Sequence, residues 1–405
     1  IKSSTGEYAK IEVEEGDQIA IYNSDIGENQ DIITNKARVI RTDDNPTVAR
    51  VEKEGPGSSL WKRWEPVIRK EKEGIDAKDG WEDATEEEAS IHGILPHVTV
   101  LNKKRSGDDK ARINVNGKVE KNNKIFPGKE FLFTPAMDEI ILRYLAAIKA
   151  YYRIKRYRRS DVSQCFQYVK MKNARIPRVV IVRLKSIENG GMGPRLKKYK
   201  SVGYGMADAG REWYIIISDF LIKEWGFIQC PEAECLFVRR IGMQGFIMIG
   251  LATDDIQHMC TNDEESTRLD KDFEKALSDR WIMVHEDAKD VLGAQMITNN
   301  DDSVTVTQPA QLERIRRHFF PNGMGPQVLA PGRKVSVEKQ GENEITTDRN
   351  KYMRDVGMLG YIRITRPDIR AALSIKGQRL QNPTLKDSKD VTWIAAYLCT
   401  TSDIG

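Results

Sequence analysis

Three acidic residues, held on two short motifs far apart in the chain, are the groups best suited to chemistry. Asp161 lies in SDVSQCF, and the adjacent Asp254 and Asp255 lie in LATDDIQ. Hard divalent cations take carboxylate oxygens, and a two-metal phosphoryl-transfer centre needs such oxygens converging from separate elements. An aspartate by itself is an ordinary turn or cap residue. A third motif, YGMADAGREWY from Tyr204, stands between the other two.

The elements that must position these groups follow from periodicity. DEIILRYLAAIKAYY is an amphipathic helix leading into the strand that carries Asp161. AGREWYIIISDFLIKEWGF is a second helix, with Trp213, Ile217, Phe220 and Leu221 inward, and FIMIGLATDDIQHM reads as a hairpin whose turn carries the acidic pair. DKDFEKALSDRW predicts a helix, VLGAQMITNNDDSVTVTQ two strands, and QPAQLERIRRHFF the start of a helical tail. RKVSVEKQGENEITTD, polar and glycine-containing, predicts a loop. Upstream, LWKRWEPVIRKEKEGI places Leu60, Trp64, Val67 and Ile68 on one helical stripe that Pro66 should break, and ATEEEA offers Thr85 as an N-cap. Residues 1–58 alternate apolar and polar residues between Gly and Asn breaks, which predicts short antiparallel strands, with GPGSS as a linker.

Taken together and in this order, KARINVNG from Lys110, SDVSQCF, YGMADAGREWY, AECLFVRR, LATDDIQ, VLGAQM, VTQPAQLERI and VGMLGYIRITRPDI resemble the polymerase region of copia-type LTR retrotransposons, a reverse transcriptase. The resemblance implies an α+β right-hand polymerase, with fingers over 61–130, palm over 131–307 and a helical thumb-like region over 308–405, ending before ribonuclease H. Residues 1–58 resemble the small β-barrel of retroelement integrases, or else form an unrelated small β-domain. The resemblance assigns Asp161, Asp254 and Asp255 as catalytic metal ligands for two Mg²⁺ ions if the chain is active, with no cofactor otherwise. It assigns Lys110 and Arg112 to the triphosphate and Phe166 to the ground beneath the incoming sugar. It puts Asp208 beside the nucleotide, where the family carries Gln, so that a carboxylate should repel the triphosphate by one to a few kcal/mol, on the order of a like-charge contact. Further departures are Ala252 in place of an aromatic, an apparent insertion at Lys198–Lys200, Gly203 in place of Leu, and Ser160, its preceding arginines, Gln257 and His258 on strands expected to be apolar.

Bulk composition bounds the partners. With 405 residues and a formal charge of +4, the chain has length for several structural units but little overall bias toward nucleic acid. The bias is local: KAYYRIKRYRR interleaves cations and tyrosines with no acid, offering Lys149, Arg153, Lys155, Arg156, Arg158 and Arg159 to phosphates, or else a solvated charged face. Five cysteines without metal-ligand spacing suit an intracellular compartment, an organelle matrix being one option, and no apolar run has membrane-spanning length. A chain opening on Ile1 is expected to lack an upstream piece. All five histidines are expected to be structural or exposed, without acid–base partners. Two functions remain open: an active RNA-directed DNA polymerase, and a domesticated RNA-binding subunit among protein neighbours in a ribonucleoprotein such as an organellar ribosome. A purely protein-binding scaffold is a third.

Overall fold

The computed structural model describes residues 43–104, 107–323, 325–332 and 347–404. It is α+β and falls into two compact units, each discontinuous in sequence. One joins the described residues up to Thr134 to Gln164–Asp219; the other joins Pro135–Ser163 to the described residues from Phe220 onward. The stretch 131–307 expected to form one palm is therefore shared between both.

The first unit is organised by the helix Ser59–Ala77. Ser58 caps it by accepting from the Trp61 amide at 3.1 Å, and Leu60, Trp64, Ile68 and Ile75 point inward along one face. Leu60, Trp64 and Ile68 pack with Leu101 and Ala111 of the hairpin formed by His97–Lys103 and Asp109–Val115. Pro66 does not break this helix as the sequence suggested. It is exposed on the outer side, so the lost hydrogen bond is outweighed by the apolar stripe opposite. A three-stranded sheet in the order Trp81–Asp83, Arg195–Tyr199, Ile181–Leu184 and the helix Ala209–Asp219 complete the unit.

The small β-domain expected over 1–58 falls mostly outside the described residues. Its final part is helical: Val48–Glu54 is capped by Thr47, closes on Gly55 at φ +78°, and buries Val48 and Val51 in the same cluster as Trp64. GPGSS is thus a corner between two packed helices, not a linker.

The second unit is built on a six-stranded antiparallel sheet. Its order is Met283–Asp287, Tyr157–Val162, Asp255–Cys260, Gly245–Ala252, Ala233–Ile241, Ile228–Cys230. A smaller sheet contains Ala294–Thr298 and Val304–Thr307, and helices Pro309–Phe319, Arg349–Tyr361, Arg370–Gly377 and Leu385–Thr400 share a core around Ile315, Leu359, Leu373 and Ile394. Most of the expected loop, residues 333–346, lies outside the described residues. No helix among the described residues is long and apolar enough to cross a membrane.

Replacing Pro66 with Ala restores the backbone donor without opening a cavity. Pro66→Ala is expected to raise unfolding stability by about 1–3 kcal/mol, read from the urea midpoint; an unchanged or lower midpoint contradicts this account of the helix.

Candidate nucleotidyl-transfer site

The strand Tyr157–Val162 lies between Asp255–Cys260 and Met283–Asp287, and in that register Asp255 stands directly opposite Asp161. Directly opposed residues of an antiparallel pair project from the same face. Thr253 and Asp254 form the two-residue turn between Ala252 and Asp255, and the Val162 amide donates to the Asp254 carbonyl at 3.1 Å. Thr253 has φ +59°, a costly conformation for a β-branched residue, so the turn is held by its surroundings. The three acidic residues therefore meet at one end of the sheet.

A cation from the chain itself already sits there. Arg159 places its guanidinium 2.7 Å from Asp255 Oδ1 and 3.1 Å from Glu286. Burial pushes the Asp255 carboxyl up to about 6; Arg159 pulls it down, while Asp161 and Asp254 raise it further. The donors are the oxygens a hard dication takes. In this arrangement, however, one Asp255 oxygen is committed to Arg159, and no group of three or more His, Cys, Asp or Glu among the described residues is placed to hold a metal ion. Asp161, Asp254 and Asp255 are the residues that would hold the expected Mg²⁺ pair, with Arg159 on one Asp255 oxygen.

The opposite face of the same strand carries a polar network. Ser160 Oγ lies 3.0 Å from His258 Nε2 and 2.7 Å from His285 Nδ1; His258 Nδ1 meets Asp270 at 2.7 Å, and His285 Nε2 meets Ser278 Oγ at 2.7 Å. Ser160, His258 and Asp270 are fully buried, and His258, expected to be structural or exposed, is anchored inside the fold by Ser160 and by a carboxylate, Asp270. The helix Glu264–Arg280 supplies the acids. Arg156 bonds Asp270 and Glu274 at 2.5 and 2.7 Å, and Arg158 bonds Glu274 and Asp287 at 2.8 and 2.7 Å.

Much of the expected nucleic-acid run is engaged within the fold. Arg156, Arg158 and Arg159 face acids brought in by other elements. Lys149 is buried, donating to the Ile154 carbonyl at 3.0 Å and to Thr298 at 2.6 Å, and Arg153 lies 3.6 Å from Asp302. Arg153 and Lys155 are exposed. The run contains no acid in sequence, yet the fold neutralises most of it. One signal for this was available: Ser266, Asp270, Glu274 and Ser278 recur every four residues, a polar stripe on one helical face.

In the first unit, Arg112 lies over the Tyr204 ring at 5.4 Å, and Tyr204 meets Phe166 edge-on at 4.9 Å. Phe166 is buried in the turn Cys165–Tyr168 rather than on a strand. Lys110 shares the hairpin with Arg112, and both favour the charged form of Glu71, whose carboxyl burial otherwise raises. Tyr204 and Glu71 escaped the sequence reading as site residues.

Asp208 is not the repelling charge expected. It is buried and takes both terminal nitrogens of Arg178, at 2.9 and 2.8 Å, while Arg178 Nε donates to Glu120 at 2.7 Å. Glu120 also accepts from the Ala207 amide at 2.9 Å. The carboxylate at position 208 is neutralised by a partner thirty residues away in sequence.

The comparisons agree with this architecture. The family model for reverse transcriptase (RNA-dependent DNA polymerase) matches residues 90–324, and the chain belongs to that family, in its copia-type branch. The chain is similar to the retrovirus-related Pol polyprotein from transposon TNT 1-94 of Nicotiana tabacum, 23% identical over 315 residues, which are 74% of this chain and 22% of that protein. It is also similar to the transposon Ty1-H Gag-Pol polyprotein of Saccharomyces cerevisiae, 22% identical over 280 residues, 66% of this chain and 15% of that protein. The chain thus spans about a fifth or less of these polyproteins.

Two consequences can be measured. A carboxyl held at about 6 binds its proton more tightly folded than unfolded, so its contribution is present at low pH and is lost as pH rises from about 4 to 6. Asp255→Asn is expected to flatten that part of the stability profile by about 1–2 kcal/mol after allowance for partial exposure, with urea unfolding at several pH values as the readout; parallel profiles for the two proteins refute the assignment. Arg178→Met leaves Asp208 and Glu120 buried without their cation and is expected to cost about 3–5 kcal/mol, part of it recovered by adding Asp208→Asn. Additive effects of the two changes in a double-mutant cycle would contradict the pairing.

Proposed function

We propose that this copia-type reverse-transcriptase domain acts as an RNA-binding structural subunit of an intracellular ribonucleoprotein assembly and does not polymerise in the form described. The observation supporting this is Arg159 on Asp255: a guanidinium of the chain engages one of the carboxylates at the acidic end of the sheet. Contact with RNA rests on exposed cations such as Arg153 and Lys155, because Arg156 and Arg158 hold the fold together. Free thiols at all five cysteines accord with a reducing compartment.

The alternative, an active RNA-directed DNA polymerase, draws support from the placement of Asp161 opposite Asp255 with Asp254 in the adjoining turn. On that reading Arg159 swings away when template, primer and Mg²⁺ bind.

Primer extension on an RNA template with Mg²⁺ or Mn²⁺ separates the two. The expected result is no incorporation above that of Asp254→Asn/Asp255→Asn, with RNA affinity equal in both proteins. Incorporation by the natural sequence that the double variant loses overturns the proposal. Charge reversal at Arg153 and Lys155 is expected to weaken RNA binding several-fold and to lower its salt dependence, whereas Arg156→Gln and Arg158→Gln act mainly on the unfolding midpoint.

A further inference from the structure

The first unit contains a cavity of about 640 Å³ lined by none of the residues considered so far as nucleotide or metal ligands. That volume is in the range of small-molecule sites. Part of its wall is apolar, with Met171 and Tyr199 buried beneath and Val179 and Pro177 at the exposed rim.

Three lysines, Lys170, Lys172 and Lys200, line the same cavity. Lys170 Nζ is anchored by the carbonyl oxygens of Lys78 and Asp79, at 2.8 and 3.0 Å, and by the Ser201 hydroxyl at 3.1 Å, none of which carries a charge. Lys200 Nζ meets the Asp79 carboxylate at 2.5 Å, and Lys172 is exposed. Burial lowers the Lys170 pKa, Asp79 opposes that, and Lys200 and Lys172 lower it further, which places the three cations within one another's field. Among the described residues, Asp79 is the one carboxylate lining the cavity, against these three cations. The two other cations at the wall look elsewhere: Arg178 to Asp208 and Glu120, and Lys198 to Glu82 and Glu88.

An apolar wall beside an excess of cations matches a ligand with an apolar body and an anionic end. We propose that this cavity binds a small organic anion, its phosphate, sulfonate or carboxylate group neutralised by Lys170, Lys172 and Lys200 and its apolar part seated on Met171, Val179 and Tyr199. A nucleic-acid strand would leave the apolar wall unused, so a compact amphiphile fits better. The site stands independently of the polymerase or RNA-binding readings.

The probe is 8-anilinonaphthalene-1-sulfonate, titrated by fluorescence into the folded full chain at low salt. Saturable one-to-one binding is expected, weakened at least tenfold by Lys172→Glu and by Val179→Glu, which alter exposed side chains, and unchanged by Arg159→Ala. Circular dichroism melting of each variant shows whether the fold persists. Octyl phosphate is expected to displace the probe. Non-saturating binding, indifference to both variants, or displacement by oligouridylate but not by octyl phosphate overturns the proposal.

Discussion

Two carboxylates stand side by side where the Asp255 strand pairs with the Asp161 strand, and a third sits in the adjoining turn. At roughly 5 Å and an effective dielectric of about 20, one such pair repels by about 3 kcal/mol. An antiparallel register cannot relieve this, because slipping by one residue would turn every side chain of the strand to the other face. The sheet therefore needs a cation at that end whenever all the groups are ionised. Arg159, two residues before Asp161 and on the same face, meets part of the need through Asp255; burial, more than the neighbouring Asp161 and Asp254, keeps that carboxyl shifted upward. A bound dication and a neighbouring guanidinium are competing solutions to one electrostatic problem.

The reverse of the strand answers a related demand. Arg156, Arg158 and Ser160 occupy positions where an apolar strand would pack directly on the helix Glu264–Arg280. The helix presents Asp270 and Glu274 instead, and His258 and His285 link the hydroxyls. Deleting any one member would leave a buried charge or hydrogen-bonding group unmatched, which costs more than the pair contributes. Arg156, Arg158, Ser160 and His258, which look like lapses in hydrophobic strands, have partners in one another and in the helix, whereas the buried Gln257 Oε1 has none.

What could be read from the residues follows the range of the interaction. Leu60, Trp64 and Ile68 announce a helix because their spacing is local, and the acidic pair between two apolar runs announces a hairpin turn for the same reason. Val48–Glu54 is a helix where the sequence predicts a strand: the apolar–polar pattern through VARVEK reads as alternation, and that reading leaves out the cap at Thr47 with Gly55 beyond. The fate of KAYYRIKRYRR was beyond local reading, since the acids that meet it arrive from more than ninety residues downstream. Asp208 shows the same limit, for nothing near it in sequence marks Arg178 as its partner.

These pairings bear on what the chain can do. If the acidic end had lost its role through unconstrained change, charges introduced nearby should be as often uncompensated as compensated. Here the carboxylate at 208 has a bidentate arginine, and the arginine at 159 has two acids. Two departures from the family pattern, at 159 and 208, are thus charge-compensated within their own units. The charges that hold these two positions are therefore supplied by the chain itself, each within its own unit.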